Sequence, residues 1–124
     1  MDEKRRETRK KVMAFTPVYT FDRRTLLGYL GDLTLQGAMV VGKKALPVDT
    51  LLKLSIELPG DLPGISEKHM AISARVAHCL LDEENHQDYH IGFAFTEIDQ
   101  EQEKIIQAIL ERYHFRHVGW QEVE

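Results

Sequence analysis

Two arginines four residues apart, Arg5 and Arg9, stand near the start of the chain, with Arg6, Lys10 and Lys11 beside them. Guanidinium groups present a rigid fork of donors, so such a cluster suits an anion. Further on, Asp32-Leu33-Thr34-Leu35-Gln36-Gly37 sets out a carboxylate, a hydroxyl and a glycine within six residues. The same residue types also build an Asx or Ser/Thr turn, so a purely structural use of this stretch stands beside a binding one. Other chemistry is thinly supported. Six histidines invite a metal reading, but His86/His90 straddle a turn and His114/His117 sit at a helix end, with no second cysteine or converging carboxylates. No metal site is therefore expected. Cys79 reads as a small residue in a strand, and no Ser-His-Asp set, phosphate loop or dinucleotide-binding turn is present. An enzyme is not expected.

The elements that must carry these residues follow from patterning. The 124 residues are 43% hydrophobic and 29% charged, which suits one globular domain. No apolar run approaches the roughly 20 residues of a membrane helix, and a single cysteine points to a reducing, cytoplasmic setting. The net charge of −4 hides an uneven distribution. Residues 1–24 hold eight basic and four acidic side chains, whereas residues 82–104 hold eight acidic and one basic. Charge is felt locally, because screening acts beyond about 8–10 Å at physiological salt. The basic end can therefore attract an anion in an acidic protein.

Residues 1–11 lack apolar periodicity and read as a flexible basic arm, residues 12–116 as the domain, and residues 117–124 as a tail. Six strands are expected: Phe15–Phe21, Thr25–Leu30, 37–41, Leu51–Leu58, His69–Leu81 and Tyr89–Phe95. Gly28 and Gly31 suggest a bulge or a close backbone approach, and 32–37 is placed in the connection between the second and third strands. Met70, Ile72, Ala74, Val76, His78 and Leu80 are expected on one face of the fifth strand, with Arg75 opposite. After it the period changes to 3.6: Asp99 and Gln102 form a capping-box pair, and Ile105, Ile106, Ile109, Leu110 and Tyr113 form a stripe. The expected fold is mainly β, a six-stranded antiparallel barrel with a C-terminal helix.

An RxxxR arm, then [DN]x[ST]xxG, then strands and a closing helix resembles the PilZ domain, a family of small split-barrel receptors for the bacterial second messenger cyclic di-GMP. The resemblance spans about residues 5–113 and includes Gly92 in the last strand. It implies ligand contacts at Arg5, Arg9, Asp32, Thr34 and Gly37, with Arg6 able to share or replace a role. In that reading the arginines meet phosphate or the guanine O6/N7 edge and stack on the purine. Asp32 accepts from guanine N–H groups, Thr34 offers its hydroxyl, and Gly37 turns with positive φ or lets the backbone approach the ligand. The arm would close over the nucleotide on the barrel and signal to a downstream protein partner. No cofactor beyond the nucleotide is implied.

A second register, with Glu7 and Lys11 in the two arginine positions, remains open on spacing. It would favour a PilZ-like adaptor that acts by protein contact without nucleotide. An RNA-binding barrel using the arm with Phe15, Tyr19 or Tyr29 is disfavoured by the acidic remainder, so no nucleic-acid partner is expected. Arg23 and Arg24 read as hairpin-tip charges, and Arg75 as either a solvent-facing or a ligand-side cation. The acidic stretch, through Glu83, Glu84 and Asp88, is expected to help hold the arm when nucleotide is absent.

Overall fold

The computed structural model describes residues 11–13 and 16–115. Arg5, Arg6 and Arg9 lie outside the described residues. Alternating apolar and polar side chains give each long strand one dry face and one wet face, and six such strands close on themselves. The strands are β1 (Lys11–Met13), β2 (Pro17–Thr20), β3 (Leu26–Leu33), β4 (Gly37–Gly42), β5 (Leu51–Glu57), β6 (His69–Leu81) and β7 (Tyr89–Phe95). Helix α1 (Gln100–Arg112) and β8 (Tyr113–Phe115) follow. The closed barrel runs β2-β3-β4-β7-β6-β5, every neighbour antiparallel. It is the mainly β, six-stranded barrel with one C-terminal helix that the patterning predicts.

Val18, Val40, Leu54, Ile72, Val76 and Ile91 fill the barrel and are no more than 1% exposed. Helix α1 is set by its cap. Asp99 accepts from the Gln102 N–H at 2.7 Å, and Gln102 Oε1 accepts from the Asp99 N–H at 2.8 Å. Its buried Ile105, Ile106 and Ile109 join Leu58, Leu62 and Ile65 of the loop between β5 and β6 in the same core, so the helix closes one barrel end. Tyr113, expected to continue the helical stripe, is instead the extended C-cap that opens β8.

Three further expectations need correction. β3 begins later and runs longer than Thr25–Leu30, ending at Leu33, so Asp32 lies in a strand rather than in a connection. The cause is a bulge: Leu30 pairs with Val40 and Asp32 with Met39, leaving Gly31 unpaired between them. A bulge between Val76 and His78 likewise breaks the alternation of β6. Val76 faces the core, but His78 and Leu80 turn outward and Cys79 takes the inner side; Leu80 is 62% exposed. Finally, β1 and β8 form a parallel pair, Lys11 to Tyr113 and Met13 to Phe115, that no periodicity announced.

That pair is fastened by side chains. Lys11 Nζ donates to Asp61 Oδ2 at 2.8 Å, and the Tyr113 hydroxyl donates to Asp61 Oδ1. The Lys11 hydrogen bond, with that of Tyr113, holds the Asp61 carboxyl down to about 2. Desolvation, together with the Asp61 carboxylate, pushes the Tyr113 hydroxyl up to about 12. A depressed carboxyl stabilises the fold fully above its unfolded value near 3.8 and loses that contribution as pH falls toward about 2. A raised phenol acts oppositely, contributing below about 10 and losing the effect as pH rises toward about 12. Thermal melts across pH should therefore show an acid loss in that lower window, shallower in Lys11→Met. An identical acid flank in the variant would refute the assignment.

Candidate functional site

The β3–β4 hairpin is shaped from within. Asp32 Oδ1 accepts from the Leu33 N–H at 2.8 Å. Thr34 Oγ1 accepts from the N–H groups of Gln36 and Gly37 at 3.1 and 3.2 Å, while the Thr34 N–H donates to the Gly37 carbonyl at 2.9 Å. The stretch is thus a Ser/Thr turn, as its residue types allow. Gly37 is not among the described residues with positive φ. Its constraint is proximity: a Cβ there would stand 2.2 Å from the Phe93 carbonyl oxygen of β7. The close approach here is to the protein's own backbone; of the two expectations for Gly37, positive φ is not met.

Pairing across the barrel defines what surrounds this turn. Ala38, Val40, Phe93, Ile91 and Val76 are core residues, so their strand neighbours face outward. Gly37 of β4 pairs with Ala94 of β7, which pairs with Arg75 of β6, making one outer row. Asp32 of β3, Met39 of β4, Gly92 of β7 and His78 of β6 make the next. Around the ring, Gly37 and Arg75 are two strands apart, and Asp32 and His78 three. The floor between them is low, made of Gly92, Ala94 and a Met39 that is 2% exposed.

Arg75 is positioned rather than loose. Its Nη1 donates to Asp49 Oδ1 at 3.0 Å. Asp49 holds φ of 75°, a region that side chains other than glycine enter at a cost, and its N–H donates to the Val76 carbonyl at 2.7 Å. Arg23, by contrast, points its Nη1 at His69 Nδ1, 3.0 Å away. Among the described residues no group of three His, Cys, Asp or Glu side chains is arranged to hold a metal. An apolar groove of about 740 Å³, lined by Leu26, Tyr29, Val41 and Leu46, runs along β3 and β4 and includes none of Asp32, Thr34 or Gly37.

Strand direction alternates around the barrel, which sorts the loops by end. The chain enters β2 at the end that carries the 34–36 turn, the β5–β6 loop with Asp61 and the start of α1. The 82–88 hairpin lies at the opposite end, where Asp82 accepts from the Glu84 and Asn85 N–H groups and Lys43 Nζ meets Asp88 at 2.7 Å. Glu83, Glu84 and Asp88 belong to this opposite end. Glu97, Asp99, Glu101 and Glu103 lie toward the end at which the chain enters β2.

Of the expected site residues, Asp32, Thr34 and Gly37 come together on one hairpin, while Arg5, Arg9 and Arg6 are outside the described residues. Reasoning from sequence missed His78 and Asp49 as neighbours of this surface. Gly92, set opposite the β6 bulge, is the one residue type that hints at the former.

The model of the PilZ domain matches residues 3–112. No curated protein and no solved structure matches the chain. The match takes in both arginines of the arm, the hairpin and the whole of the helix: the chain belongs to the PilZ domain family.

Proposed function

We propose that this protein is a cyclic di-GMP receptor whose Arg5–Arg9 arm closes over nucleotide laid on the outer face beside Asp32, Thr34 and Gly37. PilZ domains are in general ligand-binding receptors for this nucleotide, without catalysis. The observation that carries the reading here is the shared barrel end. The chain leading from Arg9 reaches the barrel at Lys11, which is fixed to Asp61, on the end that presents the 34–36 turn. Two residues of extended chain reach about 7 Å, so Arg9 starts close to that end.

The engagement of Lys11 also bears on register. An ammonium already bonded to Asp61 at 2.8 Å is a poor second arm cation, which favours Arg5 and Arg9 over Glu7 and Lys11. Arg6 stands ready to share the phosphate contacts. Arg75, paired with Asp49, lies two strands from Gly37 around the ring. Asp32 has one oxygen on the Leu33 N–H, leaving the other for guanine donors. In this reading Gly37 keeps β4 closely packed against β7. Closure of the arm alters the surface at the helix end of the barrel, and that surface is what a downstream protein reads.

Amide proton–nitrogen spectra with and without cyclic di-GMP test this. Shifts at Arg5–Lys11, Asp32–Gly37 and Arg75 are expected together. Signals unmoved at both the arm and the hairpin would instead point to an adaptor working by protein contact.

A further inference from the structure

We infer that His78 is a ligand-contacting, specificity-determining residue of this platform, offering its Nδ1 to the donor edge of a guanine; the inference rests on the cyclic di-GMP reading. Nδ1 of His78 is buried and has no hydrogen-bond partner among the described residues. Buried polar atoms are nearly always paired, so one left alone calls for a reason. Two other polar side chains that face outward on β6 and β7 have partners. Arg75 is on Asp49, and His90 Nε2 lies 2.8 Å from Asp82 Oδ2.

The placement of the imidazole is equally specific. Its Nε2, Cε1 and Cδ2 atoms lie 2.2, 2.4 and 2.8 Å from the point where Gly92 would carry a Cβ. The ring therefore rests in the space that glycine leaves on β7. It got there because the bulge after Val76 turned it out of the barrel and into the row of Asp32, Met39 and Gly92. Nδ1 is buried in this position, so contact with a ligand requires the ring to rotate out of the slot. That motion frees Nδ1 and opens the strip over Gly92 and Ala94 to a flat base.

The chemistry selects a base. With the proton on Nε2, a neutral imidazole leaves Nδ1 as an acceptor. Guanine presents two neighbouring donors, N1–H and an amino group, on its Watson–Crick edge, where adenine presents one amino donor beside an acceptor at N1. An acceptor at His78 thus favours guanine, as the Asp32 carboxylate does at the other end of the row.

The test is calorimetric titration of the full chain and of His78→Phe and His78→Gln with cyclic di-GMP and with cyclic di-AMP. Phenylalanine keeps a flat ring over Gly92 but has no acceptor. His78→Phe is expected to bind cyclic di-GMP about tenfold more weakly with unchanged affinity for cyclic di-AMP, the size of one tight hydrogen bond lost. His78→Gln, which restores an acceptor, should stay within about threefold of the parent. The imidazole nitrogen signals of the unmodified protein give a second readout that needs no variant: the His78 Nδ1 resonance should move when cyclic di-GMP is added. Equal cyclic di-GMP affinity in His78→Phe, or an Nδ1 resonance that stays put while nucleotide binds, overturns the inference and leaves the receptor reading intact. An unmodified protein that binds no cyclic di-GMP overturns both.

Discussion

Replacing Arg9 with Ala, or separately Arg5 with Ala, should weaken cyclic di-GMP binding about a hundredfold and leave the melting temperature of the barrel unchanged. Each guanidinium is proposed to make at least two hydrogen bonds to charged or purine-edge acceptors. Bonds to charged groups contribute about 1.5–3 kcal/mol each, and about 2.7 kcal/mol is a hundredfold in affinity. Stability should not follow, because the core of Val18, Val40, Leu54 and Ile72 is built from the barrel strands. Lys11→Ala is the control that fixes the register. With Lys11 spent on Asp61, its loss should change affinity less than about threefold, as expected for a surface ion pair. A large loss of affinity in Lys11→Ala with none in Arg9→Ala would move the motif two residues along the chain. Calorimetry and melting curves on the three variants decide between these outcomes.

Gly37→Ala should behave in the reverse manner, destabilising the protein before any ligand is added. The new Cβ would meet the Phe93 carbonyl oxygen at 2.2 Å, and that oxygen is backbone in a central strand of a closed barrel. Relief requires β4 and β7 to separate, which costs hydrogen bonds in a sheet that has no free edge to absorb the shift. Overpacking a well-fitted site costs about 1–3 kcal/mol, and this contact belongs at the upper end. Chemical denaturation should place the variant about 3 kcal/mol below the parent. A variant as stable as the parent that binds no nucleotide would show instead that Gly37 acts on the ligand directly. The distinction matters for reading any loss of binding at this position, since a loosened platform and a lost contact give the same titration.

Legibility from sequence tracked how local the determinants are. β6 and β7 were readable to the residue because thirteen and seven residues carry a clear pattern. The capping box was readable because both its partners sit within four residues of chain. Bulges were not. Gly31 was flagged as a possible irregularity, but its effect of drawing Asp32 into β3 depends on how β4 pairs opposite it. The bulge after Val76 is silent in its own strand, so the alternation placed His78 and Leu80 on the core face when both point out. β1 and β8 are three residues each and pair across about a hundred residues of chain, beyond any local pattern. Within the candidate site, Asp32, Thr34 and Gly37 were legible as a motif. That Thr34 caps its own turn while Gly37 serves the contact with β7 was not. Net charge misled in a similar way. The 82–104 stretch reads as one acidic block, yet the fold sends its two halves to opposite ends of the barrel.

The central claim is that this PilZ domain binds cyclic di-GMP through an arm that closes on the β3–β4 hairpin. Titration calorimetry of the full chain with cyclic di-GMP, run beside Arg5→Ala and Arg9→Ala, tests it most directly. The account predicts saturable binding in the low micromolar range or tighter, at or below a Kd of about 1 μM to 10 μM, with both variants near the limit of detection. Absence of heat from the unmodified protein at tens of micromolar nucleotide, or variants that bind as tightly as the parent, would contradict it.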